Sequence, residues 1–204
     1  MTRLSELDTR ERRWPAVMAI IVGVLVAFVG GGWLFVYTGA FDIAADTPHS
    51  RPVYWLMQKV RQYSIAARAS DPIPNDLGDE KRIASGAGQY AAMCATCHLA
   101  PGMKPTEISR GIYPRAPELR RGSALTPAEE FWVIKHGIKM TGMPAWGATN
   151  DDGMLWDVVA FLRKFPELTA EQYQALVSNA PKTHDQMMQQ REMNSPSGGR
   201  GSHQ

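Results

Sequence analysis

Cysteine is scarce, with two residues in a chain of 204. At most one disulfide can form, so a disulfide-stapled scaffold is excluded. An excess of one charge sign is also missing. Twenty-two Lys and Arg stand against twenty Asp and Glu, a formal net charge of +2. That balance argues against a nucleic-acid binder that relies on a basic face. Fourteen prolines and eighteen glycines are too few for a collagen-like or wholly disordered chain. No stretch alternates convincingly as a strand would. Mean hydropathy is -0.27, which excludes a protein of many membrane spans. A single span is not excluded, because a polar remainder dilutes it.

One such apolar run is present. Residues 1–13 are polar, with Arg3, Arg10, Arg12 and Arg13 beside Glu6, Asp8 and Glu11. From Trp14 to Phe41 there is no charged side chain. As a helix this run measures about 42 Å, and a hydrocarbon core needs only about 20 residues. The apolar core of a cleaved signal is shorter, roughly 7–15 residues. Residues 14–41 therefore read as an uncleaved transmembrane signal-anchor, with cleavage after Ala44 or Ala45 as the rival reading. Trp14 at one end and Trp33, Tyr37 and Phe41 at the other suit the two interfacial belts. The arginines precede the span, which leaves the N-terminus in the cytoplasm and the rest of the chain outside. Arg12-Arg13 is followed by Trp-Pro and is not read as a twin-arginine signal. Gly23, Ala27 and Gly31 recur every fourth residue, a spacing that suits close packing of membrane helices.

Residues 42–78 read as a linker that contains an amphipathic helix at about 52–68. Val53, Leu56, Met57, Val60 and Ala67 fall near one face, with Trp55, Lys59, Arg61 and Arg68 off it. This helix suits a membrane surface, the domain behind it or a partner. Residues 79–182 form the globular body, and its expected elements are helices. The first runs from about Asp79 into the cysteines. Thr126-Pro127-Ala128-Glu129 is a capping box with proline in the first turn, opening a helix that runs to His136 and stops at Gly137. Met154, Leu155, Val158, Phe161, Leu162 and Phe165 keep helical spacing after Asn150-Asp151-Asp152. Thr169 to Gln172 opens a further helix, which ends by Pro181. The fold class is all-α. Residues 183–204 are polar and expected to be disordered. Their His184, Met187, Met188, Met193 and His203 are types that bind copper, but at irregular spacing they read as a solvated tail.

The two cysteines lie in Cys94-Ala95-Thr96-Cys97-His98. This C-x-x-C-H pattern marks covalent attachment of one haem c. Two thiols add across the two vinyl groups, and two intervening residues let one turn of chain reach both. The next residue then offers an imidazole to the iron. A thioredoxin-like dithiol would need a preceding strand, and a structural zinc site would need four ligands. Neither context is present.

Segment 79–167 resembles class I mono-haem cytochrome c, of the bacterial membrane-anchored type. Three further stretches carry the resemblance. Gly86-x-x-x-Tyr90-x-x-x-Cys94 is similar to the family's first helix, which crosses an aromatic of the last helix at the position of Phe161. Pro117-Glu118-Leu119 resembles the family's Pro-x-Leu, whose proline carbonyl accepts the proximal imidazole N–H. Pro117 lies further from His98 than in compact members, and Pro114 is the runner-up. Lys139-Met140-Thr141-Gly142-Met143-Pro144-Ala145-Trp146 looks like the family's sixth-ligand loop. The resemblance implies Cys94, Cys97, His98, Met143 and Pro117 as haem-binding residues, with His98 and Met143 on the iron. It places the haem domain on the periplasmic side of the inner membrane.

Met143 is preferred to Met140 because Pro144 stiffens its loop and because it matches the family position. His136 ends its helix and is expected to face solvent or a propionate. Arg115, Arg120 and Trp146 are candidate propionate partners or ordinary surface and packing residues. Iron with both axial positions filled passes electrons and does not activate a substrate. The expected role is an electron carrier between donor and acceptor proteins, not an enzyme in its own right. The alternatives are a subunit of a larger dehydrogenase or terminal oxidase, and a haem enzyme or sensor with a labile sixth ligand. Between Asp79 and Glu167 eleven basic and ten acidic side chains nearly cancel, so bulk charge does not identify a redox partner.

Overall fold

A computed structural model describes residues 2–181 of the chain, with side-chain detail from Arg13. All regular structure among the described residues is helical. Eight α-helices follow in order: α1 Thr2–Tyr37, α2 Arg51–Ala66, α3 Glu80–Met93, α4 Ala95–His98, α5 Glu107–Gly111, α6 Pro127–His136, α7 Asp152–Lys164 and α8 Ala170–Asn179. Three short 3-10 turns, Leu119–Arg121, Trp146–Ala148 and Phe165–Glu167, punctuate them. The tail with its His and Met residues lies outside the described residues. The chain divides into two units, Met1–Thr47 and the part from Pro48 on.

The first unit is α1. Its segment Arg13–Tyr37 is long and apolar enough to cross a membrane, and none of its most apolar window is buried within the protein. The helix begins well before the apolar run and stops at Tyr37, short of Phe41. The stop has a local cause. The Thr38 hydroxyl donates to the Leu34 carbonyl at 2.8 Å, and Gly39 turns to φ 64, a left-handed setting that glycine adopts without strain.

The second unit is built on α3 crossing α7. A β-carbon on Gly86 would sit 1.9 Å from the Asp157 carbonyl oxygen and 2.8 Å from Phe161 Cβ. Only glycine lets the two helices approach so closely. Around this crossing Tyr90, Phe161, Phe165 and Tyr173 form one buried aromatic cluster, with ring centroids 4.7 Å apart for Tyr90–Phe165 and 5.2 Å for Tyr90–Phe161. Each such ring contributes about 1.5–3 kcal/mol by leaving water. Helix α6 lies on the other flank of α7, where Phe131 stacks on Trp156 at 4.1 Å. Arg82 spans the seam, bonding Asp157 on α7 at 2.7 Å and Asp76 before α3 at 2.9 Å.

Side-chain caps define the helix starts. Asp79 opens α3, accepting from the Lys81 N–H. Thr126 and Glu129 make both halves of the capping box on α6. Asp151 accepts from the Met154 N–H at 2.9 Å to open α7. Thr169 and Gln172 form a second capping box on α8. Helix α2 belongs to this unit and rests on α6. It is shorter than the amphipathic pattern suggests, ending at Ala66.

Candidate functional site

Helix α3 delivers its last residue directly into the cysteine motif. Cys94 is the C-cap of α3 and the N-cap of α4. The single turn of α4 then carries Cys97 and His98, with the His98 N–H donating to the Cys94 carbonyl at 2.9 Å. Both thiols are unpaired; Cys94 is buried and Cys97 half-buried. Burial in apolar surroundings pushes the Cys94 thiol up to about 12, with the neighbouring Cys97 adding to the effect.

The turn is held from two sides. Leu99, the C-cap of α4, stands at φ 61 and ψ 173, a region that L-residues rarely occupy. The Tyr90 hydroxyl donates to the Leu99 carbonyl at 2.6 Å from inside the core. Burial raises Tyr90 well above the usual phenol range, so the group stays a donor. On the outer side the Thr106 hydroxyl donates to the Thr96 carbonyl at 2.6 Å, while its oxygen caps α5 by accepting from the Ser109 N–H.

His98 projects toward the loop 112–118. Its Nδ1 lies 2.8 Å from the Pro117 carbonyl oxygen. A carbonyl only accepts, so Nδ1 carries the proton and Nε2 keeps its lone pair. Burial holds the imidazole below its ordinary value, while the Pro117 bond acts the other way. The neutral ring with a free Nε2 is the form that binds a metal. Pro114, the alternative, follows Tyr113 through a cis peptide.

The methionine loop lies beyond α6. Gly137 adopts φ 65, and a β-carbon there would come within 2.7 Å of the Met143 carbonyl oxygen. This lets residues 138–146 fold back over the helix end, where the Met143 carbonyl accepts from the Ile138 N–H at 3.2 Å. Thr141 braces the turn, donating to the Ile138 carbonyl and accepting from the Met143 N–H. Met143 and Trp146 are half-buried and pack against the core. Met140 is 82% exposed.

The donor set fits a haem and not a polar metal site. Among the described residues no group of three or more His, Cys, Asp or Glu could hold a metal ion. What is present is one oriented imidazole, two free thiols on one turn and a half-buried thioether on a separate pinned loop. Residues 81–162 match the sequence model of the family described as "Cytochrome C oxidase, cbb3-type, subunit III". The chain carries a c-type cytochrome domain. No curated protein and no solved structure matches the chain. The cytochrome match begins on α3 and ends on α7, so it takes in Cys94, Cys97, His98, Pro117 and Met143. Such a domain implies haem c and redox partners.

The remaining candidates lie at the surface. His136 is exposed, with its ring 5.0 Å from Trp132. Arg115 is exposed, and Arg120 pairs with Glu118 at 3.0 Å. The Tyr90–Leu99 and Thr106–Thr96 bonds were not legible in advance. The only sequence trace of the second is Thr106 three residues before Ser109, the ordinary spacing of a helix cap.

Proposed function

We propose that this chain is a membrane-anchored c-type cytochrome that passes single electrons between redox proteins on the periplasmic side. The observation that carries the reading is the pairing of His98 Nδ1 with the Pro117 carbonyl inside a C-x-x-C-H turn. Cys94 and Cys97 are the residues that would hold a haem covalently, through their two thiols. His98, through Nε2, and Met143, through its sulfur, would ligate the iron. A haem c held there supplies one ferric/ferrous couple, and thioether ligation favours the ferrous state. The Pro117 carbonyl orients the imidazole, and the pinned loop at Thr141 holds Met143, so that the two would serve as iron ligands. The helix Arg13–Tyr37 is the anchor, with the arginine-rich N-terminus in the cytoplasm.

A second reading is favoured by the description of the matched family. In it the chain is the cytochrome subunit of a larger oxidase, receiving electrons outside the membrane and handing them on within the complex. The two readings share the haem site and differ in the company the chain keeps.

Purified membrane protein tests both. Expected are a haem that survives denaturation, a methionine–iron charge-transfer band at the red end of the ferric spectrum, and no rapid carbon monoxide binding. Rapid binding by the unaltered protein overturns the carrier assignment. Normal covalent haem in Cys97→Ala overturns the attachment. Co-purification in mild detergent separates carrier from subunit.

A further inference from the structure

Helix α2 has two apolar sides. One packs on the domain, where Ile65 is buried and Val53 is half-buried. The other carries Leu56, Val60 and Tyr63, spaced four and three residues apart, all more than half exposed. Trp55, also more than half exposed, and Lys59 border that stripe. Arg51, Lys59, Arg61 and Arg68 give the segment 49–70 four basic residues and no acidic one. The rest of the chain must therefore be slightly acidic, since the total is only +2.

We propose that this exposed face of α2 docks on a bilayer surface bearing anionic headgroups; the inference rests on the anchor reading of Arg13–Tyr37. Three features select lipid. Exposed Leu and Val between a Trp, a Tyr and basic side chains form the composition of a helix lying in a membrane interface. The four basic side chains of this segment match anionic headgroups. The thirteen residues 38–50 between α1 and α2 reach at most about 45 Å, so the anchor holds α2 near the bilayer and even a weak surface affinity is satisfied. Because α2 is packed on α6, docking would also orient the cytochrome domain and fix which haem edge meets a partner.

The test uses the full-length holoprotein in nanodiscs of phosphatidylcholine alone or with phosphatidylglycerol. A nitroxide is placed at Val60→Cys, with Gln174→Cys on the exposed face of α8 and Val24→Cys in the span as references. An unchanged haem spectrum certifies folding of each variant. With phosphatidylglycerol present, the label at position 60 should collide with a nickel chelate roughly tenfold less often than the label at 174. In phosphatidylcholine alone the protection should fall, and Arg51→Glu with Lys59→Glu should remove it. Equal accessibility at 60 and 174 overturns the proposal. Spin–spin broadening at 60 assigns the face to a second copy, and protection that appears only with an added membrane protein assigns it to that partner; both overturn it. A chelate-accessible label at position 24 overturns the anchor reading itself, a failure distinct from accessibility at 60 alone.

Discussion

His98 donates its Nδ1 proton to the carbonyl of Pro117, nineteen residues along the chain, at 2.8 Å. The bond reaches across a loop that holds α5 and a cis Tyr113–Pro114 peptide. It needs no side chain from Pro117, so its specificity lies wholly in the loop's path. One anchor of that path is remote: the Tyr113 hydroxyl accepts from the backbone N–H of His49 at 3.0 Å, and the two rings meet edge to face at 5.0 Å. The linker before α2 is thus tied to the loop that orients the imidazole.

Met143 and Met140 differ in setting, and the difference predicts their behaviour. Met143 packs against the core with its backbone pinned, while Met140 is 82% exposed. Met143→Ala should abolish the methionine–iron band and admit carbon monoxide, with folding otherwise intact. Met140→Ala should leave the ferric spectrum unchanged. Absorbance of the two purified variants decides the matter, and a reversed result would reassign the distal ligand.

Gly86 predicts a stability effect of opposite sign to helix propensity. Alanine in a helix interior ordinarily gains about 1 kcal/mol over glycine. Here the added carbon would meet backbone at 1.9 Å. Neither a rotamer change nor a flexible neighbour can relieve that contact. Gly86→Ala should instead destabilise the domain by about 1–3 kcal/mol, the usual cost of overpacking. Urea denaturation followed by tryptophan fluorescence measures it, and an unchanged midpoint would refute the close crossing.

Tyr90 joins the core to the haem turn. Removing its hydroxyl leaves the buried Leu99 carbonyl without that 2.6 Å partner. The strained backbone at Leu99 also loses its restraint. Tyr90→Phe should cost about 1–3 kcal/mol, the penalty of an orphaned buried acceptor, while the ring keeps its place against Phe161 and Phe165. Denaturant midpoints of holoprotein give the number. A concurrent drop in covalent haem yield would tie the bond to presentation of the cysteines.

Much of this was legible in the sequence because it is local. The helix starts at Asp79, Thr126, Asp151 and Thr169 are decided by a side chain reaching two or three residues along. The end of α6 is decided by one glycine with positive φ. The cysteine motif is local too, since its chemistry requires one turn of chain. The segment between His98 and Thr126 was not legible. Its course depends on α5, on a cis peptide and on bonds such as Thr106 to Thr96 and Tyr113 to His49, which join residues far apart in sequence. The twelve-residue helix extension before Trp14 has no apolar pattern to announce it, and the sequence shows only a polar lead-in there.

Glu130 lies on α6 with 4% of its surface exposed. Burial pushes its carboxyl above the ordinary glutamate range, and the opposing pulls of Ser123 and Arg163 do not cancel this. The nearest Arg163 nitrogen stands 3.5 Å away, on a side chain nearly half exposed. A carboxyl whose folded pKa is raised binds its proton more tightly folded than unfolded. Its contribution is therefore most favourable below the unfolded value and is lost as pH rises through the folded one. Above the ordinary glutamate range the burial of this ionisable carboxyl works against the fold. Glu130→Gln replaces it with a neutral group of the same shape. It should raise the thermal midpoint by roughly 2–5 °C at neutral pH, on the scale set by domain size. The advantage should shrink as pH falls toward the ordinary glutamate range, where the native side chain is itself protonated. Thermal unfolding of both proteins across pH 4–7 tests the sign. A gain that is constant with pH would mean that packing, not charge, governs this position.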